Sequence, residues 1–225
     1  MAWRDWVRTV ELEPSLYAAD FARLGDQIRD LLDAGALVFH FDVGDGHFVE
    51  PITIGPIVLE SIAPIVHDRG AVVDVHLMVE EPEKHIPQIA RAGGDSVTFH
   101  VEADGDPATT IALAREHELA VGVAFKPGTA AVDGARAAEG ADLCLCMSIE
   151  PGYSGQEFMP EALPRIRELR SLLPEEMFVQ VDGGITLENV RDVHDAGARL
   201  IVAGSAIFGR EDLPGAYGRF VRTLA

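Results

Sequence analysis

Apolar and polar positions follow two rhythms along this chain. Compact runs of seven to nine residues, rich in β-branched and aromatic side chains, recur throughout. Between them, apolar residues return every three or four positions. The first rhythm predicts buried strands and the second amphipathic helices. The candidate strands are VELEPSL (10–16), ALVFHFDV (36–43), AVVDVHLMV (71–79), SVTFHVE (96–102), LAVGVAFK (119–126), DLCLCMS (142–148), MFVQVDGG (177–184) and RLIVAGS (199–205). In the first helical stretch Phe21, Leu24, Ile28, Leu31 and Leu32 form one apolar stripe. Asp106-Pro107 and Thr186 supply helix start signals.

A weak repeat marks the far ends of some helices. DAGA, RAGG, AEGA and DAGA occur at 33–36, 91–94, 138–141 and 195–198, each directly before an even-numbered strand. Each places a glycine where a left-handed C-cap is expected. Eight strand–helix units without a linker predict an α/β fold, a single (β/α)8 TIM barrel over residues 1–225. A doubly wound open sheet is the alternative.

In such a barrel the C-terminal strand ends build the active site. Chemistry-bearing residues collect there: Ser15, His40 and Asp42, His76 and Met78, His100 and Glu102, Lys126, Met147-Ser148, Asp182-Gly183-Gly184, and Gly204-Ser205. A buried strand carrying His40 and Asp42 needs something to offset their desolvation. His40, Asp42, His76 and Asp182 bring two imidazoles and two carboxylates from three strands. That set suits one divalent transition metal such as zinc, iron, cobalt or manganese. PGYSGQ (151–156), DGG (182–184) and AGSAIFG (203–209) add three glycine-containing loops. After late barrel strands, such loops bind phosphate through backbone N–H groups.

Composition narrows the picture further. The chain has 225 residues, 48% of them hydrophobic and 24% charged, and no apolar run long enough to span a bilayer. MAWRDWVRTVELE carries no signal-peptide apolar region, so a cytoplasmic location is expected. A net charge of -19 argues against nucleic acid and anionic membranes as partners. An anionic ligand therefore needs local devices, either backbone amides or a metal. Cys144 and Cys146, i and i+2 on a predicted strand, read as small core residues.

These stretches together resemble the ribulose-phosphate 3-epimerase family almost end to end. PSLYAADFARLG, VFHFDVGDGHFVEPITIGP, VDVHLMVEEPEKHI and AGGDSVTFHVEA carry the likeness, with VGVAFKPGT, MSIEPGYSGQEFMPEAL, VQVDGGI and IVAGSAIF. The resemblance implies a metal-dependent epimerase that interconverts D-ribulose 5-phosphate and D-xylulose 5-phosphate. It implies one divalent ion per subunit on His40, Asp42, His76 and Asp182, with Asp42 and Asp182 as the acid/base pair. It places Ser15, His76, Met78 and Met147 at the sugar. Gly152, Tyr153, Ser154, Gly155, Gly183, Gly184, Gly204 and Ser205 fall at the phosphate. A homo-oligomer is implied, because family members are often dimers or hexamers.

The residue types suit that chemistry. Inverting C3 of a 2-ketose removes a proton beside the ketone and returns one to the other face, which takes two proton-transfer groups. A cation near the C2 and C3 oxygens would stabilise the enediolate charge. The chain departs from the family where substrate is shaped. Gly44 replaces a methionine, Tyr17 and Ala18 replace Leu-Ser, Val49-Glu50-Pro51 replaces Val-Pro-Asn, and Tyr153-Ser154 replaces Phe-Gly. One expectation is that Tyr17, on the same strand face as Ser15, fills the volume left at Gly44. Rival readings are an epimerase of another ketose phosphate such as allulose 6-phosphate, Schiff-base chemistry at Lys126, and a non-catalytic phosphate-binding barrel.

Overall fold

A computed structural model describes residues 3–7 and 9–225. Met1, Ala2 and Arg8, part of the N-terminal stretch read above, lie outside the described residues. The strands are β1 (Glu11–Pro14), β2 (Val38–Gly44), β3 (Val72–Met78), β4 (Ser96–His100), β5 (Ala120–Phe125), β6 (Leu143–Met147), β7 (Phe178–Asp182) and β8 (Leu200–Ala203). All pair in parallel, in the order β1-β8-β7-β6-β5-β4-β3-β2. A parallel bridge between Ser15 and His40 joins the two ends. The expected (β/α)8 barrel is thus formed, and the pairing of the first strand with the last rules out the open sheet.

The helices are α1 (Trp3–Trp6), α2 (Leu24–Asp33), α3 (Pro56–His67), α4 (Pro82–Ala92), α5 (Pro107–Glu116), α6 (Ala131–Ala137), α7 (Ala162–Leu172), α8 (Val190–Asp195), α9 (Ser205–Phe208) and α10 (Leu213–Leu224). Strand alternation divides the apolar residues into two cores. Phe39, Phe41, Val73, Val75, Val97, Cys144 and Cys146 belong to the core between sheet and helices. Val38, Val72, Ala120, Leu143 and Leu200 fill the barrel interior, where Trp3 and Trp6 join them in a T-shaped pair. Both cysteines are free and buried, as expected, and burial pushes their thiols up, Cys146 to about 11.

Several local expectations need correction. Seven of the observed strands end one or two residues earlier than the apolar runs, because the chain bends off the barrel, as at Ser15, Ser148, Gly183 and Gly204, to form its mouth; β2 instead runs one residue further, to Gly44. Phe21 leaves the predicted stripe; it sits in a separate 3-10 turn, 49% exposed, and α2 starts at Leu24. Asp106 caps α5 through the Thr109 N–H, as predicted. Thr186 instead opens a turn tied to Asn189, and the helix proper begins at Val190.

The four repeat glycines adopt positive φ, from 89° at Gly140 to 122° at Gly197. Gly35 and Gly93 separate two costs of replacing such a cap. At Gly35 a Cβ meets nothing within 4 Å, so Gly35→Ala pays only left-handed strain, about 1–2 kcal/mol. At Gly93 the Cβ would come within 2.8 Å of the Ala63 methyl, so helix α4 has to shift against α3. Gly93→Ala should lower unfolding stability clearly more than Gly35→Ala in urea titrations. Equal losses would show that the α3–α4 contact is soft.

Candidate active site

Residues that would face a barrel interior by alternation are unusually polar here. Glu13, His40, Asp74, His76, Ser96 and Gln180 are fully buried, and Asp42 nearly so. The sheet sets them side by side, since His40 pairs in register with Asp74 and Asp42 with His76. Asp182 stands beside Met147, with its side chain 17% exposed at the mouth.

His40, Asp42, His76 and Asp182 converge as expected, with one donor atom from each lying within 4.8 Å of the others. His40 Nε2 is 3.3 Å from Asp42 Oδ1, His76 Nδ1 is 3.1 Å from the same oxygen, and His76 Nδ1 is 4.0 Å from Asp182 Oδ2. Ligands about 2.0–2.2 Å from a common ion fall roughly 3–4 Å apart, so the spacing suits a divalent cation. His40 supplies an independent sign. Its Nδ1 lies 3.0 Å from Asp74 Oδ2, while its buried Nε2 has no hydrogen-bond partner. An imidazole held from behind by a carboxylate, with a bare nitrogen facing two carboxylates, is the arrangement a metal-binding histidine requires.

The two carboxylates have opposite leanings. Burial opposes charge on both. At Asp42 the close imidazoles of His40 and then His76 outweigh it, and hold the carboxyl far below its usual range. Ser15 Oγ also donates to Asp42 Oδ2 at 2.7 Å. At Asp182 burial and the neighbouring charge of Asp42 prevail, pushing it up to about 6. Burial also resists charge on His40, yet Asp42, Asp74 and Glu13 around it raise its pKa well above the usual value.

Above this cluster opens a cleft lined by Ser15, Tyr17, Asp42, Met78, Met147, Gly152, Tyr153, Ser154, Gly155, Asp182, Gly183, Gly184, Gly204 and Ser205, among others. Every residue expected at the metal, sugar or phosphate thus borders it except His40 and His76, which are buried beside Asp42; His100, Glu102, Lys126 and Ser148, also singled out at the strand ends, are not in the lining. No lysine or arginine is among its lining residues. The loop after β7 runs so close to the one after β6 that a Cβ on Gly184 would sit 2.3 Å from the Phe158 nitrogen. Lys126 is not in the cleft; its Nζ lies 3.7 Å from the Phe48 ring centroid, a cation–π contact. A Schiff-base role gains no support from that position.

The expected Tyr17–Gly44 exchange is not what the structure shows. Tyr17 belongs to a 3-10 turn, Leu16–Ala18, so strand alternation does not relate it to Ser15. The space a side chain at Gly44 would need is taken by Val49 Cγ2 and the Pro51 carbonyl, each 2.9 Å away, and by Thr53 Cγ2 at 3.1 Å. Thr53 fastens that loop by donating to the Asp42 carbonyl at 2.7 Å and accepting from the Gly44 N–H at 2.6 Å. Two other departures do meet. Glu50 lies beside the Tyr153 hydroxyl and raises its pKa.

Sequence reasoning missed the polar floor. Gln180 Nε2 donates to Glu13 Oε2 at 2.7 Å and to Asp74 Oδ2 at 2.8 Å, and Ser96 Oγ donates to Asp74 Oδ1 at 2.5 Å. The available signal was parity: Glu13, Asp74, Ser96 and Gln180 share the inward register of residues already singled out. Burial pushes Glu13 up to about 8, helped by the nearby Asp74 and opposed by His40 and Gln180.

That shift has a consequence for stability. The folded state keeps a proton on Glu13 that the unfolded chain releases near pH 4.5, so this contribution is full below 4.5 and is lost as pH rises towards about 8. In chelator-treated protein Glu13→Gln should melt at a temperature increasingly above wild type between pH 5 and 8. Each kcal/mol is worth about 2–4 °C in a domain of this size. A pH-independent difference would mean that Glu13 does not hold its proton.

Comparison with known proteins agrees with this geometry. Residues 11–208 match the ribulose-phosphate 3 epimerase family. The chain is 40% identical over 207 residues to ribulose-phosphate 3-epimerase of Bacillus subtilis, covering 90% of this chain and 94% of that one. It is 41% identical over 204 residues to the Escherichia coli protein of the same name, covering 89% and 90%. Among solved structures, KGPDC from Streptococcus mutans superposes with a TM-score of 0.72 at 13% identity, over 96% of this chain and 98% of that one. A 3-hexulose-6-phosphate synthase from Salmonella typhimurium gives 0.71 at 17%, over 95% and 98%. The two structural likenesses speak for the fold alone. With a family match over most of its length and relatives at about 40% identity, the chain belongs to the ribulose-phosphate 3-epimerase family.

Proposed function

We propose that the protein inverts C3 of a ketose phosphate, converting D-ribulose 5-phosphate to D-xylulose 5-phosphate and back. The observation that carries this reading is the meeting of Asp42 and Asp182 at one cleft with opposite leanings, one held ionised and the other pushed up to about 6. Epimerisation beside a ketone needs a base on one face and an acid on the other. Asp42 and Asp182 are those groups, one taking the C3 proton while the other returns one to the opposite face. Their roles exchange in the reverse direction.

His40, Asp42, His76 and Asp182 would hold one divalent ion, of zinc, iron, cobalt or manganese type. When bound, that ion supplies positive charge where the enediolate oxygens develop negative charge. Ser15 orients Asp42 through its hydroxyl. Met78 and Met147 border the reacting carbon with apolar thioethers. Gly152 to Gly155, Gly183-Gly184 and Gly204-Ser205 receive the phosphate on backbone N–H groups, a reading favoured by the absence of basic residues from the cleft lining. The grip fixes the sugar without entering the proton transfers. The barrel acts in this reading as one catalytic unit, a cytoplasmic homo-oligomer whose partner is a small-molecule ketose phosphate.

A coupled assay across pentulose and hexulose phosphates, with and without added metal, tests the proposal. Ribulose 5-phosphate should give the highest kcat/KM, and a chelator should remove the activity until metal is restored. Preference for allulose 6-phosphate would move the substrate and leave the reaction class. Asp42→Asn and Asp182→Asn should each lower kcat by about 100- to 10,000-fold with metal content verified. Full activity in either would end the two-carboxylate mechanism.

A further inference from the structure

His40 and His76 are both candidate ligands, but their outer nitrogens are held in different ways. His40 Nδ1 reaches a carboxylate directly, Asp74 at 3.0 Å. His76 Nε2 instead meets a second imidazole, with His100 Nε2 only 2.9 Å away and the rings stacked at 5.0 Å between centroids. Two imidazole nitrogens at that distance share one proton between them, and the remaining contacts decide which ring owns it. His100 Nδ1 lies 3.1 Å from Glu102 Oε2. Glu102 accepts at its other oxygen from the Lys126 N–H at 2.8 Å and from the Thr129 hydroxyl. A carboxylate surrounded by donors can only accept, so His100 carries its proton on Nδ1. The fully buried His100, in its neutral form, then presents a lone pair at Nε2. His76 fills that bond with an Nε2–H, and its lone pair is then left on Nδ1, which lies 3.1 Å from Asp42 Oδ1, a spacing that two ligands of one cation take up.

We propose that His100 and Glu102 are positioning residues that fix the tautomer of His76, so that Nδ1 faces the cation held by His40, Asp42, His76 and Asp182. The inference rests on the metal reading above. It assigns opposite ligating atoms to the two histidines, Nε2 of His40 and Nδ1 of His76. The relay ends on the loop after β5, where the Lys126 carbonyl is itself clamped by Arg165 at 3.0 Å. His76 orientation thus depends on a segment outside the cleft lining.

Glu102→Gln tests this with little change of shape. Three donors converge on the two oxygens of Glu102, whereas glutamine offers one acceptor and one donor. If its amide N–H group turns to His100, the relay reverses and a proton moves to His76 Nδ1, blocking the metal. If it turns to the Lys126 N–H, the anchor is lost.

The probe is zinc, in two measurements. Long-range proton–nitrogen correlation spectra of histidine-labelled, zinc-loaded wild type should show His76 protonated at Nε2 and His100 at Nδ1. Competition with a chelating dye should show zinc affinity about 10- to 100-fold weaker in Glu102→Gln. Thr129→Val, which removes one donor and leaves the His100 contact, should bind zinc like wild type. Zinc on His76 Nε2 in the wild-type spectra overturns the proposal even if no variant folds. So does Glu102→Gln binding zinc within twofold of wild type. Wild type that takes up no zinc would overturn the metal reading itself, a failure distinct from that of the relay.

Discussion

Ionisable groups buried inside a parallel barrel are the constraint on which this structure turns. Glu13, His40, Asp74 and His76 are wholly inaccessible, with Asp42 and Asp182 directly above. Desolvating so many charges is costly unless each finds a partner. The barrel meets that demand by crossing strands. Ser96 and Gln180 converge on Asp74, Asp74 holds His40, Ser15 holds Asp42, and His100 holds His76. The bonds of Ser15 to Asp42 and of Gln180 to Glu13 and Asp74 join strands that are not consecutive in the open sheet, so the set is complete only when the barrel closes. The bridge between Ser15 and His40 makes the point, because the contact that joins the first strand to the second lies within the site itself.

The same arrangement leaves some demand unmet. His40 Nε2, Glu13 Oε1 and Gln180 Oε1 are buried without hydrogen-bond partners. For His40 the bare nitrogen belongs with a cation, and its isolation is then part of the function. For Glu13 the proton retained to about pH 8 spares the barrel a further buried charge beside Asp74. Stability and chemistry are thus separated by depth. The floor keeps ligands oriented, while the mouth keeps two carboxylates at different acidities.

Much of this was legible in the chain because periodicity records burial. Alternation along ALVFHFDV and AVVDVHLMV put His40, Asp42 and His76 on one side, and the glycines of the repeat took the left-handed conformation their position required. Strand ends other than that of β2 were read too long because an apolar or glycine-rich run does not reveal where the backbone leaves the sheet. Phe21 was misplaced since a 3-10 turn interrupts the helical period before Leu24. Glu13 and Gln180 were passed over for a different reason. They sit 167 residues apart, and nothing local tells a charged strand residue that faces solvent from one that faces a partner across the barrel.

Gly44 carries the most general lesson. A lost side chain invites the idea that a neighbouring gain, Tyr17, replaces it. The structure fills the space instead with the chain's own loop, through Val49, Pro51 and Thr53. Substitutions within one loop can conspire in this way, because Thr53 ties the loop to the Asp42 carbonyl and draws it against β2. The loop also carries Glu50 beside the Tyr153 hydroxyl, so that departures after β2 and after β6 are neighbours at the mouth. Val49 and Pro51 therefore answer for the space at Gly44 within one loop, with no part for Tyr17. Tyr17, Tyr153 and Ser154 stand on the cleft lining, above an Asp42 held by Ser15 and a His76 held by His100.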